Sequence, residues 1–353
     1  MIEIYSEVFE LLKKGACFAL ARIISQVGST PREVGTRCLI LEDGSLRGTI
    51  GGGRMEFLMI QKAMEVILKR ESSFLNLSLT GKDVLKTDML CGGRVEIFIE
   101  PISSENPETF KIFSTISEAL KSGKRCRFLT EIAGGMKVDD TRCRAVIDED
   151  GRISGNLNEL DIPRLIRFLR TEEPQILKLK DSNRNIFVET IRPAETVYIF
   201  GGGHISKFLC PLVSLAGFKA VVIDDRVEFA SPSRFPDADE VIVSPFHGSF
   251  DALNISPSTY IVIVTRGHTY DRDVLSIALQ KQAGYIGMIG STRKRDKIYE
   301  SLIQEGYSKE MLDRVYCPIG LMIGAQTPEE IAISIVAQLI DVKNRKRDRK
   351  LTK

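Results

Sequence analysis

Apolar and polar positions follow two regimes along the chain, and the change comes near residue 190. Residues 1–14 carry apolar side chains at helical spacing and read as an amphipathic first helix. From Cys17 to Ile50, apolar runs at 18–24 and 37–41 are broken by turn chemistry at Gly28-Ser29-Thr30-Pro31 and Glu42-Asp43-Gly44-Ser45, which is the pattern of short paired strands. Met55, Leu58, Met59, Ala63, Val66 and Ile67 then mark a helix over 55–70, directly behind the triplet Gly51-Gly52-Gly53. A strand is predicted at 94–100, a helix at 107–120, and strands at 125–131 and 142–147. The polar stretch 181–193 reads as a linker, and no internal repeat is legible.

From Thr196 the order becomes strand, helix, strand, helix, with strands at 196–200, 219–224, 240–243, 259–264 and 285–289. That alternation predicts a doubly wound parallel sheet. The expected architecture is therefore α/β: an N-terminal α+β domain over 1–190, a Rossmann-like domain over 194–345, and a basic tail at 346–353. Thr327, Pro328 and Glu330 form a T-x-x-E capping box and give the last helix the sharpest start signal in the chain.

Composition narrows the classes. At 353 residues each domain can bury its own core. The formal charge of +2 hides a tail from Lys343 onward with seven basic residues and one acid, so the body is mildly acidic and nucleic acid is not an expected partner. Acids among the first residues argue against a targeting segment, and no apolar run has membrane-spanning length. Seven scattered cysteines without a C-x-x-C pair suit a reducing compartment and exclude a zinc ribbon or disulfide scaffold. A cytoplasmic protein without a membrane partner is expected.

The candidate chemistry sits on glycine-rich turns. Gly201-Gly202-Gly203-His204-Ile205-Ser206 follows a strand and opens a helix, and the next strand ends in Asp224, which could accept ribose hydroxyls. This reads either as a dinucleotide site or as a Rossmann scaffold serving another ligand. His204, His247 and His268 all lie just beyond strand ends; with Asp271, Asp273 and Cys317 they could form an acid/base or metal cluster, or they could simply cap and pack. Gly290-Ser291-Thr292-Arg293-Lys294-Arg295 is either a phosphate-binding helix start or a capped, solvent-facing one. In the first half, Gly51-Gly52-Gly53 beside Arg54 at a helix entrance suggests an anion cradle. Leu90-Cys91-Gly92-Gly93-Arg94 offers an accessible thiol, with Arg94 favouring thiolate.

Taken together these segments resemble the xanthine dehydrogenase accessory protein family, the XdhC/CoxI type, over nearly the whole chain. The resemblance rests on Gly28-Ser29-Thr30-Pro31-Arg32, Gly48-Thr49-Ile50-Gly51-Gly52-Gly53 with Glu56, Cys91-Gly92-Gly93, Gly201-Gly202-Gly203-His204, and Asp224 with Arg226. It continues through Thr265-Arg266-Gly267-His268 with Asp271, Gly287-Met288-Ile289-Gly290-Ser291 with Lys294, and Pro318-Ile319-Gly320-Leu321 with Ile323-Gly324. It implies an accessory chaperone that binds molybdenum cofactor (molybdopterin), protects it during sulfuration with a cysteine desulfurase, and inserts it into a xanthine dehydrogenase-type apo-hydroxylase. It also implies a homodimer, and a maturation factor rather than an enzyme with turnover. In that picture Cys91 is a transient sulfur or molybdenum ligand. Gly51, Gly52, Gly53, Arg54, Gly92, Gly93, Gly201, Gly202, Gly203, His204, Asp224, Arg266, His268, Ser291, Arg293 and Lys294 shape the ligand site. The chain departs from the family at Leu90, where relatives carry a second cysteine, and at Met322 and Gln326, where acids are common. An NAD(P)-dependent oxidoreductase using the Gly201 loop, Asp224 and a histidine acid is the rival reading, with NAD or another nucleotide as cofactor. A nucleotide-sensing regulator of hydroxylase assembly is the third.

Overall fold

The computed structural model describes residues 4–78, 93–138, 140, 143–157, 173–179 and 184–351. The chain divides into two compact units, Ile2–Pro193 and Ala194–Lys353.

The first unit opens with helix α1 (Ile4–Lys13) and a five-stranded antiparallel sheet built from β1 (Cys17–Val27), β2 (Arg37–Leu41), β3 (Leu46–Gly48), β4 (Ser73–Ser78) and β5 (Arg94–Ser103). Helix α2 (Gly53–Lys69) lies between β3 and β4 in sequence. Helix α3 (Pro107–Lys121) then leads into a second five-stranded sheet of β6 (Cys126–Glu131), β7 (Arg144–Asp148), β8 (Ile153–Asn156), β9 (Gln175–Leu179) and β10 (Arg184–Ile191). The strand orders are β3-β2-β1-β5-β4 and β8-β7-β6-β10-β9, the same path taken twice. A repeat is therefore present in the fold although none is legible in the sequence.

Alternation along each strand separates two faces. Phe18, Leu20, Leu39 and Ile102 of one sheet meet Cys126, Phe128, Val146 and Ile191 of the other, together with Tyr5 and Val8 of α1 and Phe113 and Ile116 of α3. The opposite face of the first sheet, including Ala19, Ala21, Ile23, Ile97 and Ile99, is covered by Met55, Met59, Ala63 and Val66 of α2. Those four residues recur at helical spacing, and burying each methionine or valine contributes about 1.5–3 kcal/mol.

Ions also lie between the sheets. Arg22 is fully buried and donates to Glu100, to Glu189 Oε2 at 3.1 Å and to Thr130 Oγ1 at 3.0 Å. Arg144 pairs with Glu100 at 2.6 Å, and Arg37 and the Tyr5 hydroxyl both donate to Glu189. Burial is the largest single influence and works against the Arg22 charge, but Glu100, Tyr5 and Glu189 together outweigh it, so its pKa is raised. The linker expected over 181–193 is corrected here: 184–191 is β10, an interior strand. Its Glu189 looks like linker polarity in the sequence, but it is buried against arginines.

The second unit is a six-stranded parallel sheet in the order β13-β12-β11-β14-β15-β16. Its strands are β11 (Thr196–Phe200), β12 (Lys219–Asp224), β13 (Glu240–Val243), β14 (Thr259–Ile263), β15 (Tyr285–Met288) and the two-residue β16 (Val315–Tyr316). Helices α4 (His204–Leu215) and α9 (Pro328–Leu351) cover one face through Leu209, Val213, Ile335 and Leu339. The other face packs against α6 (His268–Leu279) and α7 (Thr292–Gln304) through Val274, Leu275, Ile298 and Leu302, with the single turns α5 (Phe246–Ser249) and α8 (Lys309–Leu312) at the rim. The architecture is the α/β one expected: antiparallel sheets first, then a Rossmann-like parallel sheet with helices on both faces. The capping box forms, with Glu330 N–H donating to Thr327 Oγ1 at 3.3 Å and Thr327 N–H to Glu330 Oε2 at 3.2 Å. Among the described residues no helix is long and apolar enough to cross a membrane.

Candidate functional site

In the first unit, three motif segments meet. A Cβ on Gly93 would fall 2.5 Å from the Ser29 carbonyl oxygen and 2.7 Å from that of Val27, so the backbone of the 27–30 turn lies directly on this glycine. A Cβ on Gly51 would fall 3.0 Å from Pro31, which carries the same turn across to the glycine triplet. Helix α2 begins at Gly53 behind an N-cap, Gly52, that has no side-chain partner and sits at φ 82°, a conformation glycine adopts without strain. Glu56 folds back to accept from Thr49 Oγ1 at 2.5 Å and Ile50 N–H at 3.3 Å, fixing the turn from below. The cations carried by these segments, Arg32, Arg54 and Arg94, are exposed, and their side chains bond no described residue. The result is a closely packed backbone turn with a helix entrance and guanidinium groups that bond no described residue, a setting for an anion. Cys91 and Gly92 lie outside the described residues.

The second unit uses its glycines differently. A Cβ on Gly202 would collide with the Phe229 carbonyl, and one on Gly201 with the Val264 carbonyl, so both glycines exist to let the chain pack on itself. Gly202 N–H donates to Asp224 Oδ2 at 2.8 Å, and its carbonyl accepts from Arg234 Nε at 3.0 Å. Asp224 also accepts from Arg226 N–H at 3.1 Å, Nε at 2.9 Å and Nη2 at 3.1 Å. A carboxylate has roughly four lone-pair sites. In this arrangement both Asp224 oxygens already accept from the chain itself, through Gly202 and Arg226. Arg266 is tied to Asp225 and to the Tyr270 hydroxyl at 2.8 Å; its hydrogen bond holds the Asp225 carboxyl down at about 2.

What stays open is the rim of the sheet. Gly203 and Gly267 are the N-caps of α4 and α6, neither with a side-chain cap, and these helices follow neighbouring strands β11 and β14 where the connections diverge to opposite faces. His204 and His268 are their exposed first residues. Ser291 caps α7 by accepting from Lys294 N–H at 3.3 Å, and the Lys294 ammonium pairs with Asp271, which is fully buried and also accepts from Thr265 Oγ1 at 2.6 Å. Burial raises the Asp271 pKa against these partners. Of the cations in 293–295, Arg293 alone bonds no described residue through its side chain.

Of the wider cluster suggested by the histidines, one pair meets. His247 follows the edge strand β13 and its Nε2 is 3.7 Å from Asp273 Oδ2, while Asp271 is held by Thr265 and Lys294. Among the described residues no three His, Cys, Asp or Glu side chains are grouped to hold a metal ion. Burial pushes the Cys210 thiol up to about 12 and Cys317 to about 11, and raises Cys17, Cys38 and Cys143 as well. None of these is a ready thiolate. No sequence motif announces the Phe229–Arg234 segment over Gly202 or the ions around Arg22. For the second, the available signal is Arg22 itself, a cation inside the apolar run 18–24.

Comparison with known proteins places these units. Residues 11–78 match the XdhC and CoxI family, and residues 197–339 match the XdhC Rossmann domain. Among curated relatives, a probable subunit of xanthine dehydrogenase from Bacillus subtilis (strain 168) is 25% identical over 92% of this chain and 93% of its own length. The molybdenum cofactor insertion chaperone PaoD of Escherichia coli (strain K12) is 18% identical over 95% of this chain and 86% of its own. The uncharacterized protein YqeB of the same organism is 24% identical over 97% of this chain, which spans only 47% of YqeB. A crystal structure described as a xanthine dehydrogenase from Bacillus halodurans aligns with a TM-score of 0.81 at 28% identity, covering 97% of this chain and 96% of that one.

Proposed function

The chain belongs to the XdhC and CoxI family, and on that premise we propose that it is an accessory protein of molybdenum-cofactor maturation. In this reading it binds the cofactor as cargo, supports its sulfuration with a cysteine desulfurase, and inserts it into a xanthine dehydrogenase-type apo-hydroxylase. The names of two relatives, a cofactor insertion chaperone and a probable subunit of xanthine dehydrogenase, support the maturation role.

The observation that carries the reading is the meeting of the Ser29–Pro31 turn, the Gly51 loop and Gly93, with Arg32, Arg54 and Arg94 uncommitted. Molybdopterin brings an anionic phosphate, a pterin rich in hydrogen-bonding edges and a metal with affinity for sulfur. Guanidiniums that bond no described residue, the backbone donors of a helix entrance, and Cys91, two residues before Gly93 in the sequence, answer those needs. The described cysteines with raised pKa values are poor candidates for the sulfur role, so the reading relies on Cys91. The open rim at His204, His268 and Arg293 is available for a second anionic group of the cargo or for a nucleotide. A homodimer is part of the proposal.

The test is to purify the protein from molybdenum-replete cells, measure released pterin fluorescence, and ask whether the loaded protein activates an apo-hydroxylase. Stoichiometric pterin with activation is expected. Absence of pterin would remove the reading, and equal activation by Cys91→Ala would remove the cysteine's role. The oxidoreductase alternative requires a nicotinamide nucleotide to bind at the Gly201 loop, where Asp224 accepts from Gly202 and Arg226. Calorimetry with NAD, NADP and a flavin nucleotide decides it, and silence for all three excludes it.

A further inference from the structure

The two sheets of the first unit agree in register as well as in strand order. Leu20 and Phe128 each face a glutamate on the adjacent strand, Glu100 and Glu189 respectively. With these two matched, the remaining pairs follow without adjustment. Arg22 opposite Arg37 corresponds to Thr130 opposite Arg144. Cys38 opposite Gly48 corresponds to Ala145 opposite Gly155, and the two glycines have φ of 84° and 90°. Phe74 opposite Phe98 corresponds to Ile176 opposite Phe187.

Contacts between the halves are reciprocal. Arg37 of the first half pairs with Glu189 of the second, and its counterpart Arg144 pairs with Glu100 of the first. A Cβ on Gly35, in the loop after β1, would fall 2.5 Å from Pro174, just before β9. The loop after β6 answers on the other side, where the Ser72 hydroxyl, just before β4, donates to Ala133 O at 2.6 Å and accepts from Met136 N–H at 3.0 Å. Contacts in which residue i meets j and j meets i are the mark of an isologous, two-fold interface. Arg22 stands where such an axis would pass, since it donates to Thr130, its own counterpart, and to both equivalent glutamates.

We infer that the surface between residues 4–103 and 107–191 is an internal homodimer interface: one element of a helix and five strands, joined in a single chain to a second copy of itself. The halves differ at the axis, where one carries arginine and the other threonine. A single guanidinium there serves both glutamates, and the geometry is indifferent to which half supplies it. The unshared part of its environment is aromatic. Arg22 lies over Phe98, Phe128 and Phe187, and under the exchange Phe98 and Phe187 trade places while Phe128 becomes Leu20.

The full-length protein tests this through Arg22→Thr, Thr130→Arg and the double variant, with thermal unfolding followed by circular dichroism. Arg22→Thr leaves two buried carboxylates short of donors, and Thr130→Arg sets two cations side by side. Each single variant should lower the melting temperature of the first unit by on the order of 10 °C. The double variant should regain at least half of the larger loss, falling short of full recovery because one ring is replaced by leucine. If a single variant does not fold, recovery of a cooperative transition in the double variant is the equivalent result. A double variant that regains less than half, or that does not fold, overturns the two-fold relation.

Discussion

The two glycine triplets share a composition, a position before a helix and an uncapped N-cap glycine, yet they differ in how far the groups around them are already committed. At Gly201 and Gly202 the space a side chain would occupy is filled by the chain's own carbonyls, the amide and carbonyl of Gly202 are taken by Asp224 and Arg234, and the nearby Arg226 and Arg266 are paired with acids. At Gly52 no described residue comes within reach of an added side chain, no side chain caps the helix, and Arg32 and Arg54 bond no described residue. Glycine alone therefore says that something comes close. Whether that is the protein or a ligand depends on which partners are already present.

Substitution at the triplets should break this contrast if it is wrong. Gly202→Ala forces a methyl into the Phe229 backbone, which should destabilise the second unit by about 3 kcal/mol and lower its melting temperature by roughly 10 °C. Gly203→Ala, at φ −74° with nothing within reach, should shift it by only a degree or two. Equal melting of the two variants would show that Gly202 is not a packing residue. Next in size, Arg54→Ala should weaken binding of the anionic cargo about tenfold, the loss of one charge-assisted hydrogen bond. Arg226→Ala should leave that affinity nearly unchanged, and titration calorimetry that finds the reverse order would move the cargo site to the second unit.

The smallest effect concerns Asp225. Its carboxyl is held at about 2 by Arg266, below the roughly 3.9 of an unfolded chain. A depressed folded-state value stabilises above the unfolded pKa, and that stability is lost as pH falls from about 4 through 2. The pair is partly exposed, so solvent screening keeps the contribution small. Arg266→Ala should return the carboxyl titration toward 4 by NMR and flatten stability over that acid window only; an unmoved titration would refute the pairing.

Much of the second unit was legible because parallel strands buried on both faces read as short apolar runs, and helices announce themselves through caps such as Thr327 and Glu330. The first unit hides its plan. Its halves match in register at Glu100 and Glu189, Arg37 and Arg144, and Gly48 and Gly155, positions too few and too unevenly spaced to stand out as a sequence repeat. Buried charge hid β10 for a related reason, since polarity reads as exposure until a partner from a distant strand is known. At the sites, the sequence marked the glycine loops and Arg54, but it could not distinguish Asp224 as an internal acceptor from a ligand acceptor. That distinction lies in Arg226 curling back on its own chain.

The brevity of β16 bears on how the protein behaves when crowded. An exposed sheet edge is a template on which another chain can add a strand, and association through such edges is a route to aggregates. Here the parallel sheet ends in two residues, Val315 and Tyr316, the latter's ring stacked 4.8 Å from Tyr285, and Pro318 follows two positions on without an amide hydrogen to offer. A passing strand would find almost nothing to copy, so the unit carries its own terminator against growth at that edge.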